Sequence, residues 1–295
     1  MYNAPMSTPP PNERLQALRD IVTCCMLCPR KCRVNRTIGE VGRCGIGAEA
    51  VVVSAGAHFG EEACLTGPGG SGTIFFAGCN LACVFCQNAD ISQSGKGQPV
   101  SAEGLATLAL ELERQGCSNI NFVTPTHVAH AMAEAIVIAR AEGLTVPVVY
   151  NSGGYDLAST LRLLDGLIEI YMPDFKWADG QAAETYSGAA DYPDVACEAL
   201  AEMYRQVGPL VLDDRGLARR GLLVRHLVMP DDLARSHDVI DIIAESAPGC
   251  AINIMAQYHP AFHAIEYPAL QKTTDPADIV ALREDARAKG LRLID

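Results

Sequence analysis

Thr73-Ile74-Phe75-Phe76-Ala77-Gly78-Cys79-Asn80-Leu81-Ala82-Cys83-Val84-Phe85-Cys86 is the stretch on which the reading of the chain turns. An apolar run ends at a glycine, the pattern of a strand passing into a tight loop. The loop carries three thiols spaced C-x3-C-x2-C. Each can hold one iron of a cubane iron–sulfur cluster and leave the fourth iron without a protein ligand. A cluster that only carries electrons is usually closed by four cysteines, whereas an open iron can chelate a small molecule through an amine and a carboxylate. The competing readings are three ligands of a structural zinc, or buried free thiols. A structural zinc takes four ligands, and the nearest spare cysteines, Cys64 and Cys117, lie outside the loop. Thiolate number and geometry select the metal, which favours the cluster.

Downstream, apolar runs alternate with stretches of helical periodicity, the signature of βα units and a parallel sheet. The spacing predicts strands at 73–77, 119–123, 146–150, 168–172, 222–228, 251–256 and 291–294. It predicts helices at 101–116, 127–142, 156–165, 194–206, 236–246 and 276–289. Six or seven such units make an α/β fold of the partial (β/α)6 TIM-barrel type, with its chemistry at the C-terminal ends of the strands. Polar residues recur there. Thr124-Pro125-Thr126-His127 follows the second strand, Asn151-Ser152-Gly153-Gly154 the third and Met172-Pro173-Asp174-Phe175-Lys176 the fourth. Arg225 and His226 fall within the fifth, and Gln257-Tyr258-His259-Pro260 follows the sixth. Singly, each has an ordinary reading: Lys176 as a surface lysine, His127 and His130 as a solvated helix face rather than a metal pair. Their joint position carries the weight.

Upstream, residues 13–23 read as a short amphipathic helix leading into Cys25, Cys28, Cys32 and Cys44, interleaved with Pro29, Gly39, Gly42, Gly45 and Gly47. Four thiolates between tight turns suit a closed tetrahedral zinc site and equally an auxiliary iron–sulfur cluster. Zinc is slightly preferred, because nothing suggests an open position; Cys24 can replace Cys25 in this register. Arg30, Lys31, Arg33, Arg36 and Arg43 stand here against the single acid Glu40 and read as a solvated loop face, with a docking patch for an acidic partner as the alternative. Ala50–Ala57 reads as a strand, and His58–Gly72 as a glycine-rich approach in which His58 is a hydrogen-bonded loop histidine by default. The expected division is a disordered proline-rich tail at 1–12, a cysteine-rich metal-binding segment at 13–60 and the barrel at 61–295.

Composition sets the outer bounds. At 295 residues the chain can bury about 75% of its unfolded surface. Hydrophobic content of 49% and charged content of 20% suit a water-soluble α/β enzyme. No apolar run approaches the ~20 residues of a membrane span, since the candidate around Ala131–Ala141 is broken by Glu134 and Arg140. Met1–Pro11 lacks the basic and apolar regions of a signal peptide, so a cytoplasmic location is expected. Twelve cysteines in that reducing compartment point to metal rather than disulfides. Cys64, Cys117, Cys197 and Cys250 read as buried small hydrophobes. Lys and Arg total 23 against 35 Asp and Glu, a net charge of −12, which argues against nucleic-acid binding.

At these residues the chain resembles the pyruvate formate-lyase activating enzymes of the radical S-adenosylmethionine (SAM) superfamily, and more closely their branch with a cysteine-rich N-terminal leader. The resemblance rests on the cysteine loop with aromatic Phe85 before its last thiol, and on Gly42-Arg43-Cys44-Gly45 and His58-Phe59-Gly60-Glu61-Glu62. It extends through Phe76–Asn88, Asn121–His127, Val149–Tyr155, Tyr171–Lys176, Gly221–Pro230 and Asn253–Pro260, roughly residues 20–295 in all. It implies that Cys79, Cys83 and Cys86 hold a 4Fe–4S cluster and that Phe85 lies against the adenine of SAM. Asn151, Ser152, Asp174 and Lys176 would face the methionyl group, His259 the ribose, and Arg225 a carboxylate or partner backbone at the barrel mouth. Two departures stand out. The Gly-Gly-Glu that binds the SAM amine in many relatives is absent, so oxygens of Thr124 and Thr126 would accept from the amine instead. Asn151 replaces an aspartate, removing a negative charge from a site that in the activases also binds a monovalent cation.

The activity this resemblance implies is reductive cleavage of SAM to methionine and a 5′-deoxyadenosyl radical, which abstracts hydrogen from a substrate. The electron would come from a donor such as flavodoxin or ferredoxin. The first expected substrate is the backbone glycine of a glycyl radical enzyme. The second is a small metabolite or an unrelated peptide. A third expectation, from another class, is a non-catalytic iron–sulfur or zinc protein.

Overall fold

The computed structural model describes residues 10–294. The tail expected at 1–12 therefore lies, over residues 1–9, outside the described residues, and a helix has begun by Pro11. Helix α1 (Pro11–Asp20) leads through the leader, built of turns and short 3-10 segments, to strand β1 (Ala50–His58). Helix α2 (Ala63–Thr66) precedes β2 (Ser71–Phe76), and the cysteine loop then runs into α3 (Ala89–Ser92) and the edge strand β3 (Gln98–Val100). Next come α4 (Ala102–Arg114), β4 (Ile120–Val123), α5 (Ala129–Ala141), β5 (Val148–Ser152), α6 (Ala158–Leu163) and β6 (Ile170–Pro173). Helices α7 (Gly180–Ser187) and α8 (Tyr192–Val207) and the short β7 (Val211–Leu212) separate β6 from β8 (Ala218–Leu227). The chain continues through α9 (Ser236–Ser246), β9 (Ala251–Met255), α10 (Pro276–Ala288) and β10 (Arg292–Leu293).

Every strand and helix expected from periodicity has its counterpart. Those the sequence did not announce, α2, α3, α7, β3 and β7, are short, and elements of that length draw stability from tertiary contacts rather than from their own propensity. The longer helices carry their own signals. In α4, Leu105, Ala106, Ala109 and Leu112 form the buried stripe, and Ser101 Oγ caps the first turn by accepting from Gly104 N–H at 3.3 Å. In α10, Asp275 accepts from Ala277 N–H at 2.8 Å ahead of Pro276, whose missing N–H costs nothing at that position.

Strands β2, β4, β5, β6, β8, β9 and β10 pair in that order, all parallel. Parallel neighbours need a crossover between them, which the intervening helices supply. Strands β1 and β3 extend the β2 edge antiparallel. Covered on both faces, β5 and β6 are buried at every residue. The sheet curls. Phe75, Val123, Asn151, Asp174, Arg225 and Met255, at or just past the carboxyl ends of six successive parallel strands, all line one cleft. A flat sheet could not bring them together, so the architecture is a partial TIM barrel. Below the cleft, Val149, Ile170, Met172, Leu223 and Ala251 fill the interior with Cys64 and Leu65 of α2. The larger apolar core lies between the sheet and its helices. No helix among the described residues is long and apolar enough to cross a membrane.

Candidate active site

The cysteine loop leaves β2 through Gly78, whose φ is +81° and whose added Cβ would stand 2.5 Å from the Cys44 carbonyl oxygen. Only glycine lets the leader approach the loop this closely. Cys79, Cys83 and Cys86 then line the cleft together with Phe85. Cys83 Sγ lies 3.1 Å from Ser187 Oγ, and Cys86 Sγ 3.2 Å from Ser92 Oγ. Leu81 N–H donates to Cys79 Sγ at 3.4 Å. Trp177 Nε1–H donates to Ser187 Oγ at 2.9 Å, which fixes the hydroxyl beside Cys83. The loop is clamped from outside: Asn80 Nδ2 donates to Tyr155 O at 2.6 Å, and Ala82 N and Val84 N donate to Ser187 O and Tyr186 O of α7.

Burial, followed by the neighbouring Cys83, pushes the Cys79 thiol up to about 12. Burial also raises Cys83, although Lys176 pulls the other way. Crowded, desolvated thiols keep their protons when alone, and a cationic metal core that accepts them as thiolates removes that penalty. The donor set, three soft thiols at an open cleft, fits a cluster with one uncommitted iron.

The cleft, about 350 Å³, is within the range of small-molecule sites. Lys176 Nζ donates to Asp174 at 2.5 Å on its wall. Burial works against the lysine charge, but Asp174 and the Cys83 sulfur outweigh it and hold the ammonium above its ordinary range. Tyr192 ties the ends of β5 and β6: its hydroxyl donates to Gly153 O or Asp174 O and accepts from Lys176 N–H at 2.9 Å. Gly154 lies in this tie with φ +77°, and a Cβ there would stand 2.0 Å from Asp174 O. Gly154→Ala is expected to destabilise the fold by at least about 1–3 kcal/mol, read as a lower urea midpoint.

Thr124 lines the cleft with φ +60°, an outlier for a β-branched residue, its N–H held by Asn151 O at 2.8 Å. Asn151 and Ser152 also line it. The Ser152 hydroxyl, however, donates to Asp156 at 2.7 Å, as does Tyr150 OH at 2.7 Å. Thr126 bonds the same carboxylate and is buried outside the cleft lining. Burial raises the Asp156 pKa, and these hydroxyl donors oppose that rise. His259 is exposed at the rim, 3.3 Å from Gln87 Nε2, and it is Gln87 and Gln257 that line the cleft. Arg225 is already engaged. Its Nε donates to Glu62 at 2.8 Å, and its Nη2 to both Glu62 and Glu61. Asn253 Nδ2 adds a bond to Glu62 at 2.9 Å. Burial opposes the Glu62 charge, yet Arg225 and Asn253 hold its pKa below the carboxylate range. Glu62→Ala strips a buried arginine of its main partner and is expected to cost about 3–5 kcal/mol in denaturant unfolding. In the parent this contribution is present above the ordinary carboxylate pKa and lost as pH falls through the lowered folded value.

Ser187 and Ser92 carried no sequence signal, lying on the short helices α7 and α3. Asp156 opens the expected helix at 156–165 and Glu62 lies in the segment His58–Glu62, but nothing local pointed either to its partners. His58, expected as an ordinary loop histidine, ends β1 in the cleft, 3.1 Å from Glu61. His127 and His130 correct the expectation of a solvated face. Both are buried, and their Nε2–H groups donate to Ala77 O at 2.8 Å and Ala48 O at 2.7 Å. Helix α5 lies under the leader, which covers the face that its periodicity left open.

The leader cysteines Cys25, Cys28, Cys32 and Cys44 line a common cavity. Cys24 is exposed, its Sγ 3.8 Å from Arg33 O, which fixes Cys25 in the register. Among the described residues, no group of three or more His, Cys, Asp or Glu stands close enough around one point to hold a single metal ion. The basic residues here divide: Lys31, Arg33 and Arg43 are exposed, Arg30 is half-buried and Arg36 is buried. All twelve cysteines are free.

An open parallel barrel with thiols gathered at the carboxyl ends of its strands has the plan of a cofactor-dependent barrel enzyme. Residues 73–173 match the family described as the Radical SAM superfamily. An uncharacterized protein of Methanocaldococcus jannaschii is 30% identical over 289 residues, 95% of this chain and 79% of the relative. The chain thus carries a radical SAM superfamily domain at residues 73–173, and members of that superfamily use a 4Fe–4S cluster and SAM. Its fold is similar to that of Streptococcus suis SuiB, solved bound to precursor peptide SuiA, with a TM-score of 0.50 at 14% identity over 73% of this chain. The match spans 46% of the SuiB chain.

Proposed function

We propose that the chain cleaves SAM reductively at a cluster held by Cys79, Cys83 and Cys86 and abstracts hydrogen from a protein backbone, first of all from the glycine of a glycyl radical enzyme. The carrying observation is the meeting of these three thiols with Lys176, Asp174 and Asn151 in one cleft. When bound, cluster and SAM supply a 5′-deoxyadenosyl radical. The chain's own residues hold and orient. Ser187 and Ser92 direct hydroxyls at two of the sulfurs. Lys176, paired with Asp174, offers a cation to a carboxylate, and Asn151 and the backbone oxygen of Thr124 offer acceptors to an amine. Phe85 gives an aromatic face, stiffened edge-on by Trp177 at 5.7 Å. Arg225, neutralised by Glu61 and Glu62, shapes the mouth. His259 reaches the cofactor only by turning in from the rim.

The activating-enzyme reading rests on the resemblance of the segments around Gly42–Gly45, Tyr171–Lys176 and Asn253–Pro260. A second reading, a peptide substrate, is favoured by the fold shared with SuiB. We further propose a flavodoxin or ferredoxin as electron donor, zinc or an auxiliary cluster at the leader cysteines, and a reducing cytoplasm suited to the free thiols. Anaerobically reconstituted protein given dithionite and SAM is expected to release 5′-deoxyadenosine; none from cluster-loaded protein overturns the proposal. Adding a candidate glycyl radical enzyme is expected to give a stable split radical signal in electron paramagnetic resonance. Hydrogen transfer into 5′-deoxyadenosine from an unrelated labelled peptide instead selects the second reading.

A further inference from the structure

The leader cavity carries an imbalance of charge. Its lining includes Cys25, Cys28, Cys32, Cys44, the half-buried Arg30, the buried Arg36 and the exposed Arg43, and no carboxylate. Arg36 is 2% exposed. Its Nε donates to Gly47 O at 2.8 Å and its Nη1 to His127 O at 2.8 Å, with Cys25 Sγ 4.0 Å away. Arg30 donates to Asn80 O at 2.7 Å and Gly188 O at 2.6 Å. The Nη2 groups of both are buried without a partner. An arginine cannot shed its charge, and guanidiniums drawn out of water to face only neutral carbonyls, thiols and, for Arg30, the Tyr155 ring at 5.1 Å are costly without a counter-charge. Thiols become anions when a metal takes them, so the missing counter-charge lies in the sulfurs themselves.

We propose that Cys25, Cys28, Cys32 and Cys44 bind a metal centre as four thiolates with a net charge of −2, and that Arg36 and Arg30 are its built-in counter-cations. On binding either one Zn²⁺ or a 4Fe–4S core of charge 2+, the four thiols give up four protons to water and coordinate as thiolates, and both occupants leave the same −2. The guanidiniums of Arg30 and Arg36 cancel it, and that of the exposed Arg43 is left to solvent. The sulfurs share one cavity but do not stand at single-ion spacing, so a single zinc requires them to draw together, whereas a cluster takes one thiolate per iron. Arg30 spans from this centre to the Asn80 carbonyl inside the C-x3-C-x2-C loop, so the centre also anchors that loop. The inference rests on the metal proposed above for the leader cysteines, to which it adds the two counter-cations, and does not depend on the cluster at the loop, without which it is tested.

The test uses the full chain carrying Cys79→Ser, Cys83→Ser and Cys86→Ser, purified anaerobically and assayed for zinc, iron and acid-labile sulfide. The expected result is about one zinc, or about four irons with four sulfides, per chain. Either is lost on adding Cys28→Ser and Cys44→Ser. In the same background, Arg36→Met is expected to lose its metal to a chelator at least tenfold more readily, and Arg36→Lys to recover most of the retention, which separates charge from packing. No metal in the triple-serine chain, even after anaerobic addition of zinc or of iron and sulfide, overturns the proposal. So does an Arg36→Met chain that holds metal as firmly as its parent. Should Arg36→Met not fold, Arg30→Met is read by the same assay with the same two outcomes.

Discussion

Cys83→Ala is expected to abolish 5′-deoxyadenosine release and the signal of a cluster with one distinct iron, while leaving the far-ultraviolet circular dichroism of the chain unchanged. Of the three thiols, Cys83 is buried, faces Ser187 Oγ at 3.1 Å, and lies within the field of Lys176. Removing it leaves two sulfurs, too few to fix a cubane with a single open corner. The fold is held elsewhere, by Asn80 on Tyr155 and by the backbone bonds of residues 82 and 84 to α7, so cofactor and stability separate cleanly. Substantial cleavage by the alanine variant, with iron still bound at parental levels, would move the cluster to other cysteines.

The second large effect is acid destabilisation. His127, His130 and His226 are all buried, and burial lowers each to about 4 from an ordinary 6.5. Their hydrogen bonds fit the neutral ring: Nε2–H to Ala77 O and Ala48 O for the first two, and Nδ1–H to Phe175 O at 2.6 Å for His226, whose Nε2 accepts from Ser236. The unfolded chain binds protons as pH falls through 6.5, whereas the folded chain does not bind them until about 4. Stability is therefore full above the unfolded value, declines between the two, and flattens below the folded one. At 1.36 kcal/mol per unit, each ring contributes on the order of 3 kcal/mol, a large share together of the 5–15 kcal/mol that holds a domain folded. Urea midpoints measured from about pH 7 to pH 4.5 are expected to fall steeply, and His130→Gln to remove about a third of the slope. A flat profile would show that these imidazoles charge in place without cost.

The periodic features were legible in the sequence. Seven apolar runs separated by amphipathic stretches admit few arrangements other than a parallel sheet with crossover helices, because each run must be buried on both faces and cannot turn back on itself in a short loop. The C-x3-C-x2-C loop was legible for a chemical reason: three thiols within eight residues are confined by chain geometry, whatever the fold. Both are local properties, and local properties are what a sequence states directly. The buried Arg36, by contrast, looks identical in sequence to its solvated neighbours. Arg36 and Arg33 differ only in that the leader folds back against α5 and covers one of them.

Residue order alone determined the alternation of strand and helix, the thiol triplet and the set of polar residues that follow the strands. Tertiary structure decided which of those polar residues share the cleft. Ser152 and Thr126 are drawn to Asp156, Arg225 to two glutamates, and the His127–His130 pair into the core. These outcomes depend on partners 4 to 164 positions away, and the attraction between charges or hydrogen-bonding groups acts through space, at a range that sequence spacing does not record.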